Sequence, residues 1–179
     1  MGIEAAGSLP PIFVCPLAEV KGTVAQHGIQ QMVSLLSADM TPPSPASIPS
    51  QDRLSLSFND LSEPKEGYRA PNAEDMDALL MFATQRWRRD APLLIHCWFG
   101  VSRSTAGALI AACALKPNIS EAAHAERLRA AAPFATPNPM MIALADKALG
   151  REGRLISAVQ AMGRGAECSS GHLFEFALS

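Results

Sequence analysis

The sequence predicts an α/β protein: a small central, mostly parallel sheet of four to five strands, flanked by helices on both faces. Three observations predict it. Short apolar runs alternate with helical passages through the first half of the chain, and helices alone follow. One mid-chain run, Leu93-Leu94-Ile95, is apolar without a break, as in a strand covered on both faces. The 179 residues are 48% hydrophobic and only 18% charged, which suits one folded domain over 1–179 and excludes global disorder. A chain of this size buries about 70% of its unfolded surface, enough for a core without staples.

The elements follow in order. Ile12-Phe13-Val14-Cys15 reads as a short strand after two prolines. Thr23 to Gly28 reads as a short helical passage, and Gln31 to Leu36 as a second strand. Residues 41–50, with four prolines and no charge, form a loop. Arg53 to Phe58 alternates polar and apolar, the period of a half-buried strand, and ends at Asn59-Asp60. After a second loop, Asn72 is placed to cap a helix whose first turn carries Glu74, Asp75 and Asp77. That helix is expected to reach Arg89, burying Met76, Leu79, Leu80, Phe82, Ala83 and Trp87, with Arg86, Arg88 and Arg89 at its negative end. A buried strand over 91–96 leads to a helix from Ser102 to Leu115 that is small and apolar all round, hence buried. Further helices are expected at 120–131, 138–149 and 154–162. The tail 163–179 is glycine- and serine-rich and reads as loosely ordered unless Leu173, Phe174 and Phe176 pin it down.

The formal net charge of −2 gives no basic excess for nucleic acid, and no apolar run is long enough to cross a bilayer. The N-terminus shows no secretory pattern, and Ala6 breaks the myristoylation spacing after Gly2 even though Ser8 follows. Cys15, Cys97, Cys113 and Cys168 form no CxxC pair and no His stands at metal-ligand spacing, so neither a disulfide framework nor a metal or other cofactor is expected. A reducing cytoplasm is the expected compartment.

The chemistry is concentrated in His96-Cys97-Trp98-Phe99-Gly100-Val101-Ser102-Arg103-Ser104, where a buried strand gives way to a helix. Ligands in parallel α/β sheets bind beyond the carboxyl ends of strands, at helix N-termini. Five residues between Cys97 and Arg103 allow the loop to curl with its amides inward, an anion nest. Gly100 permits positive φ and close approach. Arg103 can return over the loop and grip two phosphate oxygens. The same donors favour Cys97 as a thiolate beneath a phosphate-sized site, suited to in-line attack and a covalent intermediate.

HCWFGVSRS resembles the signature loop of the cysteine-dependent protein tyrosine phosphatases, its GVSRS portion that of the dual-specificity branch. The likeness extends from about residue 12 to 149 and includes Ala135-Thr136-Pro137-Asn138-Pro139 opening a later helix. It implies a phosphomonoester hydrolase acting on a phosphorylated protein or a small aryl phosphate, without cofactor. It implies Cys97 as nucleophile and Arg103 as clamp, with the amides of Trp98, Phe99, Gly100, Val101, Ser102 and Arg103 around the phosphate. Ser104 would assist departure of the sulfur, and His96 would hold the loop by hydrogen bonds. For the general acid that protonates the leaving oxygen, Asp60 is the candidate, at a strand end before a loop that could close over the site. Glu63 and Asp39 are its rivals, while Asp75, Asp77 and Asp52 have structural explanations. The stretch from Asp60 to Cys97 is long for the family and lacks a preceding Trp-Pro.

Cys113 and Cys15 read as core thiols and Cys168 as incidental; a regulatory disulfide from Cys15 or Cys113 to Cys97 stays open. His27, His124 and His172 read as structural or solvated. The arginine cluster is explained by a solvated helix end as well as by substrate attraction, and Asn138 by a helix cap as well as by anchoring a loop. The loop holds no cation between Cys97 and Arg103, which disfavours polyanionic inositol phosphates, and Trp98 and Phe99 could line an aromatic mouth. Two other functions remain open: a non-catalytic binder of phosphorylated partners, and a sulfurtransferase or arsenate reductase. The mid-chain loop and its length argue against the last pair. Oligomeric state is open.

Overall fold

The computed structural model describes residues 9–178; the leader positions Gly2, Ala6 and Ser8 fall outside them. The elements are β1 (Ile12–Pro16), α1 (Val20–His27), β2 (Gln31–Leu36), β3 (Arg53–Ser57), α2 (Ala73–Met81), β4 (Leu93–Cys97), α3 (Arg103–Leu115), α4 (Glu121–Ala131), α5 (Pro139–Ala148), α6 (Arg154–Met162) and β5 (Phe174–Phe176). They form one five-stranded sheet in the order β3-β2-β4-β1-β5. The three pairings among β1 to β4 are parallel, and β5 lies antiparallel on β1. The predicted α/β class and mostly parallel sheet are those observed.

Period-two alternation sorts the strand side chains between two unequal layers. Ile12, Val14, Val33, Leu35, Leu93, Ile95 and Cys97 face α2 to α6. Phe13, Cys15, Met32 and Leu94 face a smaller layer of α1 and the 41–50 loop, which contributes Ile48. Both faces are covered, one by five helices and the other by one helix and a proline-rich loop. No helix among the described residues is long and apolar enough to cross a membrane.

Local chemistry sets the boundaries. Asn72 and Asp75 form a reciprocal capping box at the start of α2. Arg69 also pairs with Asp75, 2.9 Å away, so the loop before α2 is fixed to its first turn. The expected helix to Arg89 is corrected: α-helical bonding stops at Met81, a π-turn covers Phe82–Arg86, and Trp87 is extended. The wider turn brings the buried Trp87 indole to the Ala91 carbonyl, to which it donates at 2.9 Å. Tertiary packing of one large side chain thus overrides helix propensity. Arg86 and Arg88 are drawn to the start of β2 and β3, where Arg88 pairs with Asp52 and Gln31 bonds both arginine backbones. That is the far end of the sheet from the signature loop, so the cluster serves the fold.

The expectation of a loosely ordered tail is corrected: Phe174, Phe176 and Leu178 are buried in the main core, and the stretch before them is hydrogen-bonded to the body at Gly163, Gly165, Ala166 and Gly171.

Candidate active site

The loop 98–102 joins the carboxyl end of β4 to the start of α3. Four of its five carbonyls accept from backbone amides of other segments. Leu17 N–H donates to the Trp98 carbonyl at 3.1 Å, Gly171 N–H to that of Phe99 at 2.8 Å, Thr136 N–H to that of Val101 at 3.0 Å, and Asn138 N–H to that of Ser102 at 3.3 Å. These four bonds tie the loop to the segments around it. Among the described residues, the N–H groups of Trp98, Phe99, Val101, Ser102 and Arg103 find no protein acceptor, whereas Gly100 N–H reaches Cys97 Sγ at 3.3 Å. Successive backbone donors left without a protein acceptor make this loop a candidate oxyanion site.

Gly100 is required here twice over. Its φ is +70°, and a Cβ would stand 2.7 Å from Pro16 N and 3.0 Å from the Cys15 carbonyl carbon. Cys97 is 2% exposed, at the floor of the cup, with its Sγ 3.1 Å from Ser104 Oγ. Arg103 is equally enclosed. Its Nη1 donates to the Phe58 carbonyl at 2.9 Å and to Ser37 Oγ at 3.4 Å, and its Nε is buried with no hydrogen-bond acceptor. The guanidinium plane is therefore fixed by one edge and offers the other.

Asp60 is brought into the same cleft. One carboxylate oxygen, Oδ1, accepts from Ser102 Oγ at 2.7 Å and from Asn138 Nδ2 at 2.8 Å. The other, Oδ2, stands 3.9 Å from Arg103 Nε. Asn138 is the keystone of this arrangement and is 1% exposed. Its Oδ1 caps α5 at Met141 N–H, which forces its amide nitrogen toward Asp60 and the Leu61 carbonyl. The cap and the loop anchor, alternatives in the sequence, are both made by this one side chain. Of the rival acids, Asp39 lines the same cleft while Glu63 is exposed and does not. Asp75 and Asp52 are engaged in the structural pairs already described.

His96 is corrected in its contacts. It follows the sheet alternation onto the face opposite Cys97, where its Nε2 lies 2.7 Å from Ser34 Oγ on β2. It bonds the neighbouring strand and makes no hydrogen bond to the loop. Burial, and after it the charge of Arg103, pushes its imidazole down to about 4, against an upward pull from the Cys97 backbone. The same alternation puts Cys15 on the far face from Cys97, and burial raises both the Cys15 and Cys113 thiols to about 12. All four cysteines are free.

A cleft of about 420 Å³ beside the loop is lined by Asp39, Met40, Asp60, Trp98, Phe99 and Arg103. Trp98 and Phe99 are 45% and 53% exposed and meet edge to face, so the lip is aromatic. Arg103 is the one cation in that lining. Among the described residues, no cluster of His, Cys, Asp or Glu is arranged to hold a metal ion. Sequence reasoning missed the roles of Thr136 and Gly171 in turning the loop; neither lies near it in the chain, and no local pattern marks them.

No protein-family model matches the sequence, and no curated protein matches it. Solved structures do match in fold. DUSP15 aligns with a TM-score of 0.63 at 16% identity, covering 88% of this chain and 93% of its own. Human DUSP28 aligns at 0.59 and 18%, covering 79% and 94%. The PTP-2 phosphatase of Cydia pomonella aligns at 0.55 and 24%, covering 76% and 84%. The chain therefore has the fold of the protein tyrosine and dual-specificity phosphatases.

Proposed function

We propose that the protein is a cysteine-dependent phosphomonoester hydrolase of the tyrosine or dual-specificity type, working through a cysteinyl-phosphate intermediate. The observation that carries this reading is the buried Cys97 sulfur, reached by Gly100 N–H and Ser104 Oγ, in a loop that also carries the enclosed Arg103, whose Nε has no hydrogen-bond acceptor. In the first step the Cys97 thiolate attacks phosphorus and the P–O ester bond breaks. The leaving oxygen takes a proton from Asp60. Two donors already occupy Oδ1, so Oδ2, on the Arg103 side, carries that proton. In the second step Asp60 removes a proton from water, whose oxygen attacks phosphorus as the S–P bond breaks. Ser104 Oγ donates to the departing sulfur. The loop amides and Arg103 hold the three equatorial oxygens throughout, the electrostatic part of the catalysis.

The aromatic lip and single cation favour a phosphorylated protein side chain or a small aryl phosphate over a polyanionic inositol phosphate. A cytoplasmic setting agrees with four free thiols. The freshly reduced protein should hydrolyse p-nitrophenyl phosphate, Cys97→Ser should abolish turnover, and Asp60→Ala should trap a phosphorylated substrate. Phosphopeptide binding without turnover would instead indicate a non-catalytic module. Turnover of thiosulfate or arsenate alone would indicate the sulfurtransferase or reductase reading.

A further inference from the structure

The peptide between Phe99 and Gly100 is a rigid trans plane with the Phe99 carbonyl at one end and the Gly100 N–H at the other. The N–H end touches Cys97 Sγ, and the carbonyl end is held from far along the chain by Gly171 in the tail. Ser170 Oγ adds a second bond to the same carbonyl at 3.4 Å. The approach is too close for any side chain: a Cβ on Gly171 would stand 2.7 Å from the Phe134 ring and 2.9 Å from the Gly100 carbonyl oxygen.

The rest of the tail is built to deliver Gly171 to that place. Arg129 donates to the Gly163 carbonyl at 2.7 Å. Gly165 N–H reaches Thr136 Oγ1 at 3.1 Å, and Ala166 N–H the Pro133 carbonyl at 2.9 Å. A Cβ on Gly165 would meet the Phe134 backbone at 2.4 Å, so this crossing also demands glycine. His172 packs edge-on to Phe134, and Leu173 N–H donates to Glu19 at 2.8 Å before the chain enters β5. The tail thus passes behind the loop, fastened on both sides of Gly171.

We propose that the C-terminal tail is a working part of the candidate site, with Gly171 the positioning residue that sets the Phe99–Gly100 peptide and so aims the Gly100 N–H at the Cys97 sulfur. This rests on the reading of the loop as an oxyanion cradle. Gly171 acts through that peptide and touches no reacting atom. Anything that lifts the tail frees the plane to rotate and replaces an inward donor by an inward carbonyl, which repels an oxyanion.

The test uses the full chain and tungstate as the probe. Gly171→Ala should weaken tungstate binding by about tenfold or more, the loss of one charge-assisted amide bond. It should also lower kcat for p-nitrophenyl phosphate by a similar factor. Leu155→Ala, in α6 and fully buried, supplies a destabilised control whose residue makes no hydrogen bond to the loop. It should lower the melting temperature while leaving tungstate affinity unchanged below the transition. Should Gly171→Ala fail to fold, hydrogen exchange in the unaltered protein carries the same test. Tungstate at about 100 times its Kd should slow exchange at the Gly171 amide by up to about 100-fold, because opening that bond would cost binding.

Unchanged tungstate affinity in folded Gly171→Ala, or unchanged Gly171 exchange in the saturated protein, overturns the assignment. So does a loss in Gly171→Ala that Leu155→Ala reproduces. An unaltered protein that binds no tungstate overturns the cradle reading itself, which is a separate failure.

Discussion

Replacing Asn138 by Asp removes the amide donor that holds Asp60 and the Leu61 carbonyl while keeping the oxygen that caps α5. The variant keeps an oxygen to accept from Met141 N–H, so α5 retains its cap. It loses the N–H that Asn138 donates to Asp60 Oδ1 at 2.8 Å and sets a second carboxylate at that distance. A hydrogen bond to a charged group is worth about 1.5–3 kcal/mol, so the acid loses that much positioning before repulsion is counted. At about 1.4 kcal/mol per factor of ten, kcat should fall roughly ten- to hundredfold for phenyl phosphate, whose leaving group needs a proton. For 2,4-dinitrophenyl phosphate, whose leaving group needs none, kcat should change less than about threefold. The assay is kcat across a series of aryl phosphates of graded leaving-group basicity, for the parent, Asn138→Asp and Asn138→Ala. Asn138→Ala should show the same leaving-group dependence and cost about 1 kcal/mol of stability for the lost cap. A uniform fall across the series would refute the reasoning, because it would place the damage in the cradle and not in the acid.

Three further outcomes follow from the same geometry. His96 is neutral when folded, with an imidazole pushed from 6.5 to about 4, so the unfolded chain binds the extra proton; stability should be full above pH 6.5 and fall by up to about 1.4 kcal/mol per pH unit as pH drops toward 4. Urea midpoints across that window should be flatter in His96→Asn than in the parent, and parallel curves would contradict the assignment. Gly100→Ala combines positive φ with a backbone clash and should lower tungstate affinity and turnover by at least about tenfold, for a combined penalty of about 2–4 kcal/mol. Parent-like turnover in this variant would mean the loop has room that these contacts deny. Cys15 and Cys113 are buried and held near 12, so neutral iodoacetamide should modify Cys97 and the exposed Cys168 in the folded protein and spare the other two, read by peptide mass spectrometry.

What the sequence discloses follows the reach of each interaction. The signature loop is legible because Cys97, Gly100, Arg103 and Ser104 lie within eight residues and each type has a separate chemical reason to be there. The strands are legible because burial on both faces writes uninterrupted apolar runs such as Leu93-Leu94-Ile95. Asn72 is legible because a capping box is a contact across three residues. The bonds joining Asp60 to Ser102 and Asn138 span 42 and 78 positions, and the side chains involved are common loop residues. Gly171 is harder still, since its contribution is a backbone N–H and the absence of a Cβ. His96 was misplaced by proximity: next to the nucleophile in the chain, it lies across the sheet from it, because a strand turns successive side chains to opposite faces.

The antiparallel β5 has a consequence for how the molecule meets its own copies. A strand at the margin of a sheet displays unpaired amides and carbonyls that another chain can zip onto. β1, buried along its whole length, would be the adhesive margin if left bare. Three tail residues cover it, and the opposite margin is β3, only five residues long, with Arg53, Ser55 and Ser57 interrupting its apolar positions. Both rims are thereby blunted against strand-to-strand stacking, and the same terminal segment that braces the loop keeps the sheet from recruiting neighbours.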